Sequence, residues 1–228
     1  MAVAPSVLTV LRSQAQDPVG LLRAASAQLG SAVGVLSSFG AESALLLAFV
    51  AEADPHMPVL FLETGRHFPE TLAYRAELAE ALGLTNVQDI RPTQAELDAR
   101  DPTGELWAFD PDACCRLRKV EPMDLASLPY AALVTGRKQA QAATRALLPV
   151  VEEKAGGQLR LNPLAHWQAE EITREMKRRG LPPHPLVAQG YPSIGCAPCT
   201  QPVGQTEDPR AGRWAGLAKT ECGIHTAS

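Results

Sequence analysis

The sequence predicts an α/β fold built on a mostly parallel sheet, and three stretches carry that prediction. Val33–Phe39 and Pro58–Leu62 are short apolar runs with the character of buried strands, and Asn86–Ile90 reads as a third strand. The first two are each followed by a segment whose apolar residues recur at helical spacing. Such strand–helix alternation marks βαβ units, in which a helix carries the chain back to start a parallel neighbour.

Taken in order, residues 6–29 read as one or two amphipathic helices ending at Gly30. The first strand stops at Gly40, and Glu42–Glu52 then sets Leu45, Leu46, Phe49 and Val50 on one helical face. After the second strand and a turn, a helix runs from about Pro69 to Leu82, leading to the third strand. Asp101–Pro111 is polar, contains Pro and Gly, and reads as an irregular connection. A short helix is expected to carry Cys114, Cys115, Arg116, Arg118 and Lys119, with another short piece near Pro122. Tyr130–Thr135 and Leu159–Leu161 supply a fourth and a fifth strand. Trp167–Arg179 is a helix stopped by Gly180 and by Pro182, Pro183 and Pro185. Two units are expected: a domain over residues 1–205 and a mobile tail over 206–228.

With 228 residues, 46% apolar and 20% charged, the chain has the composition of one soluble domain. A net charge of −4 gives no ground for a nucleic-acid partner. The longest apolar stretch, Ala44–Ala51, is too short to cross a bilayer, and the first thirty residues lack signal-peptide character. The expected location is the cytoplasm, where cysteines more often bind metal or catalyse than form disulfides. Self-association is left open.

The five cysteines carry the most chemistry. Cys114-Cys115 and the Cys-x-x-Cys of Cys196 and Cys199 form two doublets, whereas Cys222 stands apart near the end. Four soft ligands suit an iron–sulfur cluster; a tetrahedral zinc site is the competing reading. Adjacent helical residues point about 100° apart, so Cys114 and Cys115 reach two corners of a cage more easily than one small ion, which favours iron–sulfur. Lys119 lies one turn beyond Cys115, where an ammonium offsets the charge of a thiolate-ligated cluster and can hold an anion. The same lysine is equally an ordinary solvated helix residue.

Other segments are weaker signals. Ser37-Ser38-Phe39-Gly40-Ala41-Glu42-Ser43, between a strand and a helix, can wrap backbone N–H groups around an anion, or simply cap the helix. Leu62-Glu63-Thr64-Gly65-Arg66 is placed to reach a ribose or base, or is a bland turn. Gly136-Arg137-Lys138-Gln139, continuing to Thr144-Arg145, and Arg210-Ala211-Gly212-Arg213-Trp214 offer paired cations for sulfate or phosphate oxygens.

Together these segments resemble the iron–sulfur, assimilatory adenylyl-sulfate reductases of the phosphoadenylyl-sulfate reductase family. The likeness rests on residues 37–43 and 63–66, on Cys-Cys-Arg-Leu-Arg-Lys-Val-Glu-Pro (114–122), and on Gly-Tyr-Pro-Ser-Ile-Gly-Cys-Ala-Pro-Cys-Thr (190–200). Residues 210–216 and Lys-Thr-Glu-Cys-Gly-Ile-His (219–225) complete it.

The resemblance implies an adenine-nucleotide α-hydrolase-like fold with five or six mostly parallel strands between helices. It implies that adenylyl sulfate and reduced thioredoxin give sulfite, AMP and oxidised thioredoxin. Cys114, Cys115, Cys196 and Cys199 become ligands of a 4Fe–4S cluster, and Cys222 the nucleophile that carries a thiosulfonate. Ser37, Ser38 and Phe39 fall on the substrate loop, and Lys119, Arg137, Arg210 and Arg213 on the phosphosulfate grip. Lys219 and His225 are expected to lower the Cys222 pKa, with Glu221 opposing them. The chain departs from the family at Lys138–Arg145, where relatives commonly carry Gln-Ser, and at Glu63, where an aspartate is common. A 3′-phosphoadenylyl-sulfate reductase typically lacks both cysteine doublets. An ATP-pyrophosphatase requires a Ser-Gly-Gly-x-Asp-Ser loop that is absent here. A zinc-stabilised binding module remains the non-enzymatic alternative.

Overall fold

Apolar residues alternate along the strands and divide the protein into two unequal cores. The computed structural model describes residues 3–141, 146–204, 208–216, 219 and 221–224. The six strands are β1 (Val33–Leu36), β2 (Val59–Leu62), β3 (Val87–Ile90), β4 (Ala132–Thr135), β5 (Val151–Glu153) and β6 (Leu159–Leu161). They form one sheet in the order β3-β2-β1-β4-β6-β5. Every pairing is parallel except β5 against β6, so the sheet has the mostly parallel character expected.

On one face Val33, Val35, Val59, Phe61, Ala132, Val134, Leu159 and Leu161 enter the main core. Successive strand residues point to opposite faces, so Leu60, Leu62 and Leu133 enter a smaller core on the other. The main core receives α1 (Pro5–Ser13), α2 (Pro18–Leu29), α3 (Ser43–Ala53), α4 (Pro69–Ala81) and, through Ile172, α9 (Ala169–Arg178). Residues 44–50 of α3 are all buried, because this helix lies between the sheet and its neighbours α2 and α9. Met123 closes the smaller core from α8 (Glu121–Ser127), and Ile224 of the tail packs on it as well.

The Asp101–Pro111 connection is more ordered than expected. Helix α5 (Gln94–Arg100) precedes it, and α6 (Leu106–Phe109) lies within it. Thr93 and Glu96 form a reciprocal capping box at the start of α5, a signal present in the sequence as Thr-x-x-Glu. Strand β5 also lacked an apolar signature: Val151, Glu152 and Glu153 form a short, mostly polar edge strand. The cysteine helix α7 (Pro111–Cys115) runs directly into a π-helical turn, Arg116–Val120, and then into α8. Among the described residues no helix is long and apolar enough to cross a membrane.

His184 fastens the loop that leads to the second cysteine doublet. Its Nδ1 accepts from the Leu186 N–H at 3.2 Å, and its Nε2 meets Thr71 Oγ1 of α4 at 3.1 Å. The ring is buried and lies 4.8 Å from that of Tyr74. Burial lowers its pKa to about 4, only slightly opposed by Glu70. The unfolded chain therefore takes up a proton first as pH falls below about 6.5. This contribution to stability is complete above pH 6.5 and is lost progressively towards pH 4. Urea unfolding across that window should show a loss of up to about 3 kcal/mol that His184→Gln abolishes. An unchanged pH slope in the variant would refute the assignment.

Candidate active site

A cavity of about 240 Å³ opens at the carboxyl ends of β1, β2 and β4. Here the chain order reverses: β2 lies on one side of β1, and β4 on the other. In open α/β sheets ligands bind at this switch point. The walls come from residues 36–38 and 40–43, Leu62, His67, Lys119, residues 135–138, residues 192–195 and the tail.

The loop after β1 is held from beneath. Phe39 adopts a left-handed backbone (φ 48°), and its ring is buried edge-on against Phe61 at a centroid distance of 5.6 Å. The Ser37 hydroxyl accepts from the Phe39 N–H at 3.2 Å. The Phe39 side chain is thus the anchor of the loop, while Ser37, Ser38, Gly40 and Ala41 face the cavity. A Cβ at position 40 would stand 3.3 Å from Ser38 Oγ and 3.5 Å from the Ile194 carbonyl, a close fit that favours glycine.

The turn after β2 serves the cysteines rather than the cavity, which corrects its expected role at a ribose or base. The Thr64 hydroxyl lies 3.3 Å from Cys196 Sγ, and the Thr64 carbonyl accepts from Arg118 Nη1 at 2.7 Å. The Ala197 N–H donates to the Arg66 carbonyl at 2.7 Å, and His67 pairs with Cys196 as an antiparallel bridge. Glu63 turns away, accepting from the Gly65 N–H and pairing with Arg91 at 3.2 Å.

These ties bring the two cysteine doublets to one place. Burial pushes the Cys114 thiol up to about 11, and Cys115, Cys196 and Cys199 add to the rise. Cys115 is likewise raised to about 11 by burial, against the pull of Lys119 and Lys219. Burial opposes ionisation of Cys196, but Lys119, the Thr64 hydroxyl and Arg213 outweigh it and hold that thiol below its usual range. Among the described residues, no group of three or more His, Cys, Asp or Glu side chains is disposed to hold a metal ion as they stand.

Lys119 sits between the cysteines and the cavity. The wide π-helical turn stacks it above Cys115, so the same ammonium feels Cys196, Cys222 and Cys115. Burial works against its charge, but these sulfurs prevail and raise its pKa. Arg213 is buried across Gly195, where an added Cβ would fall 2.2 Å from its guanidinium. That guanidinium lies 4.5 Å over the Trp214 ring, and its Nε has no hydrogen-bond partner. Arg210 also lines the cavity, 3.8 Å from Glu221. Arg137 is held closely: its Nη2 is paired with Glu152 at 2.5 Å and its Nε donates to Thr135 Oγ1 at 3.2 Å.

The tail is stitched to the second cysteine doublet. Thr200 and Arg213 form an antiparallel bridge, and the Trp214 N–H donates to the Cys199 carbonyl at 3.0 Å. Lys219 pairs with Asp112 at the start of α7 and lies 5.7 Å from the Trp214 ring. Glu221, Cys222 and Ile224 then line the cavity, with Cys222 half-buried. Thr144, Arg145 and His225 lie outside the described residues.

Five residues of this site carried no individual role in the sequence. Thr64 and Trp214 became visible only through folding, since each acts by a contact remote in sequence. Glu42 and Lys138 line the cavity as an ion pair at 2.7 Å. His67 also lines it, with Nε2 2.8 Å from the Leu62 carbonyl, and burial lowers its pKa.

A mostly parallel sheet with its cavity at the switch point places the protein in the open α/β class. A solved structure shares this fold: phosphoadenylyl-sulfate reductase from Candida auris matches with a TM-score of 0.72 over 88% of this chain and 99% of that one, at 24% identity. Residues 32–202 match the phosphoadenosine phosphosulfate reductase domain, and the chain belongs to that family. An adenosine 5′-phosphosulfate reductase of Mesorhizobium japonicum is 55% identical over 193 residues, covering 85% of this chain and 76% of that protein. A phosphoadenosine 5′-phosphosulfate reductase of Gloeobacter violaceus is 38% identical over 231 residues, 99% of this chain and 96% of that protein.

Arg118 and Asp101 form the buried support of this site, 2.6 Å apart and both almost inaccessible. Burial pushes Asp101 up, but Arg118 and the Leu106 N–H together hold it below the usual carboxylate range. Removing one partner strands the other charge, so Asp101→Ala should cost about 3–5 kcal/mol in chemical denaturation. A loss under about 1 kcal/mol, typical of an exposed pair, would exclude this role.

Proposed function

We propose that this protein reduces adenylyl sulfate to sulfite and AMP in sulfate assimilation, with Cys222 as nucleophile and thioredoxin as reductant. The observation that carries the reading is the meeting of Lys119, Arg210 and Arg213 with Cys222 on one cavity, beside two gathered cysteine doublets. The closely related adenosine 5′-phosphosulfate reductases support the substrate.

In this reading the Cys222 thiolate attacks the terminal sulfur of the phosphosulfate. An S–S bond forms, the S–O bond to the phosphate breaks, and AMP leaves, giving a thiosulfonate. A thioredoxin thiolate then attacks Cys222 Sγ and expels sulfite. Its second thiol resolves the mixed disulfide, so the dithiol supplies both electrons. Lys119, Arg210 and Arg213 counter the negative charge that otherwise repels the thiolate. Ser37, Ser38 and the backbone of the β1–α3 loop hold the nucleotide, and Arg137, fixed by Glu152 and Thr135, shapes the wall beside β4.

The cysteine set fits a 4Fe–4S group on chemical grounds: four thiol ligands from two loops, partly buried, with a lysine beside them. Cys114, Cys115, Cys196 and Cys199 would hold it, supplying negative charge and structural order next to the anion site. A reaction that needs reduced thiols fits the reducing environment of the cytoplasm.

Incubated with adenylyl sulfate and no reductant, the wild type should gain the mass of one sulfonate, whereas Cys222→Ser should bind nucleotide and gain none. A variant that still turns over identifies another nucleophile. Lys119→Ala should slow the first half-reaction by about 10²–10³-fold with iron content unchanged. Wild-type rates in that variant remove Lys119 from the phosphosulfate grip.

A further inference from the structure

Relatives in this family carry the adenosine and the phosphoadenosine name, so some residues of the fold must choose between the two nucleotides. The two substrates differ by one ribose phosphate, which adds nearly two negative charges. The cavity treats its two sides differently in charge. Lys119, Arg210 and Arg213 gather near Cys222, three cations against the lining carboxylate of Glu221, which lies 3.8 Å from Arg210. On the β4 side, each lining cation is already matched by a carboxylate: Lys138 by Glu42 at 2.7 Å, and Arg137 by Glu152 at 2.5 Å. Arg160 and Lys154 lie near Glu152, but neither lines the cavity.

Glu42 is the carboxylate that lines the cavity on this side. It immediately precedes α3, whose positive end favours an anion, but its side chain makes no capping hydrogen bond and turns instead to Lys138 on the cavity wall. A carboxylate can accept a hydrogen bond from a sugar hydroxyl but repels a phosphate, the logic by which dinucleotide folds choose between a free and a phosphorylated ribose. We propose that Glu42, steadied by Lys138, makes the cavity selective for an adenine nucleotide whose ribose hydroxyls are free. The inference rests on the reading of this cavity as the adenylyl-sulfate site.

The test is binding, which needs no turnover. Calorimetric titration of the anaerobically purified full chain with AMP and with adenosine 3′,5′-bisphosphate gives a ratio of the two affinities. The wild type should favour AMP by about tenfold or more, since like charges at close quarters are costly. Glu42→Gln should cut that ratio at least about fivefold, chiefly by tightening the bisphosphate. A ratio unchanged in the variant overturns the proposal. A second measurement needs no variant: raising salt from about 50 to 300 mM screens repulsion, so the preference for AMP should shrink. Should the preference grow instead, a cation is gripping the added phosphate and Glu42 is not the selector. If the wild type binds neither nucleotide, the reading of the cavity itself fails; if it binds both equally, only the selectivity claim does.

Discussion

Everything at this site depends on bringing two cysteine doublets together from distant parts of the chain, and the turn at Thr64 does it. Thr64 accepts Arg118 on its carbonyl and meets Cys196 with its hydroxyl, so one residue touches the helix of the first doublet and a sulfur of the second. Arg118 can serve there only because Asp101 neutralises it in the interior. Neutral groups would cost less to bury, but they would not fix the cysteine helix against a backbone carbonyl with a charged hydrogen bond.

The anion pocket is a by-product of the same joint. Lys119 projects from the turn that follows Cys115, and Arg213 from the strand-like segment paired with Thr200, next to Cys199. Both cations are therefore placed by cysteine-bearing segments, whereas the loop that faces them is placed by the sheet. The sulfur side and the β1–α3 loop are held by separate parts of the fold, and the cavity is the gap between them.

Much of the fold was legible because its signals are local. Apolar runs marked β1, β2 and β4, while Gly180 and the prolines after it marked the end of α9. The polar strand β5 was not legible, since its place is set by its partner β6 and not by its own residues. At the site, cysteine spacing announced that sulfur chemistry was concentrated there, but not what surrounds it. Arg137 looked like a free cation until Glu152, on an unrecognised strand, was seen to meet it. Phe39 looked like part of a binding loop, and its side chain proved to be the peg beneath it. The Glu63–Arg66 turn looked like a nucleotide contact and instead braces the metal-type thiols. In each case the deciding partner lies far away in sequence.

Ile224 has one more consequence. It rests on the small core formed by Leu60, Leu62 and Leu133, next to a half-buried Cys222. The residue two places beyond the cysteine is therefore held by the same apolar cluster that closes the second face of the sheet. Under the proposed reaction, lifting Cys222 towards a protein donor would uncover that isoleucine, so the tail's reach is tied to the cost of exposing one aliphatic side chain.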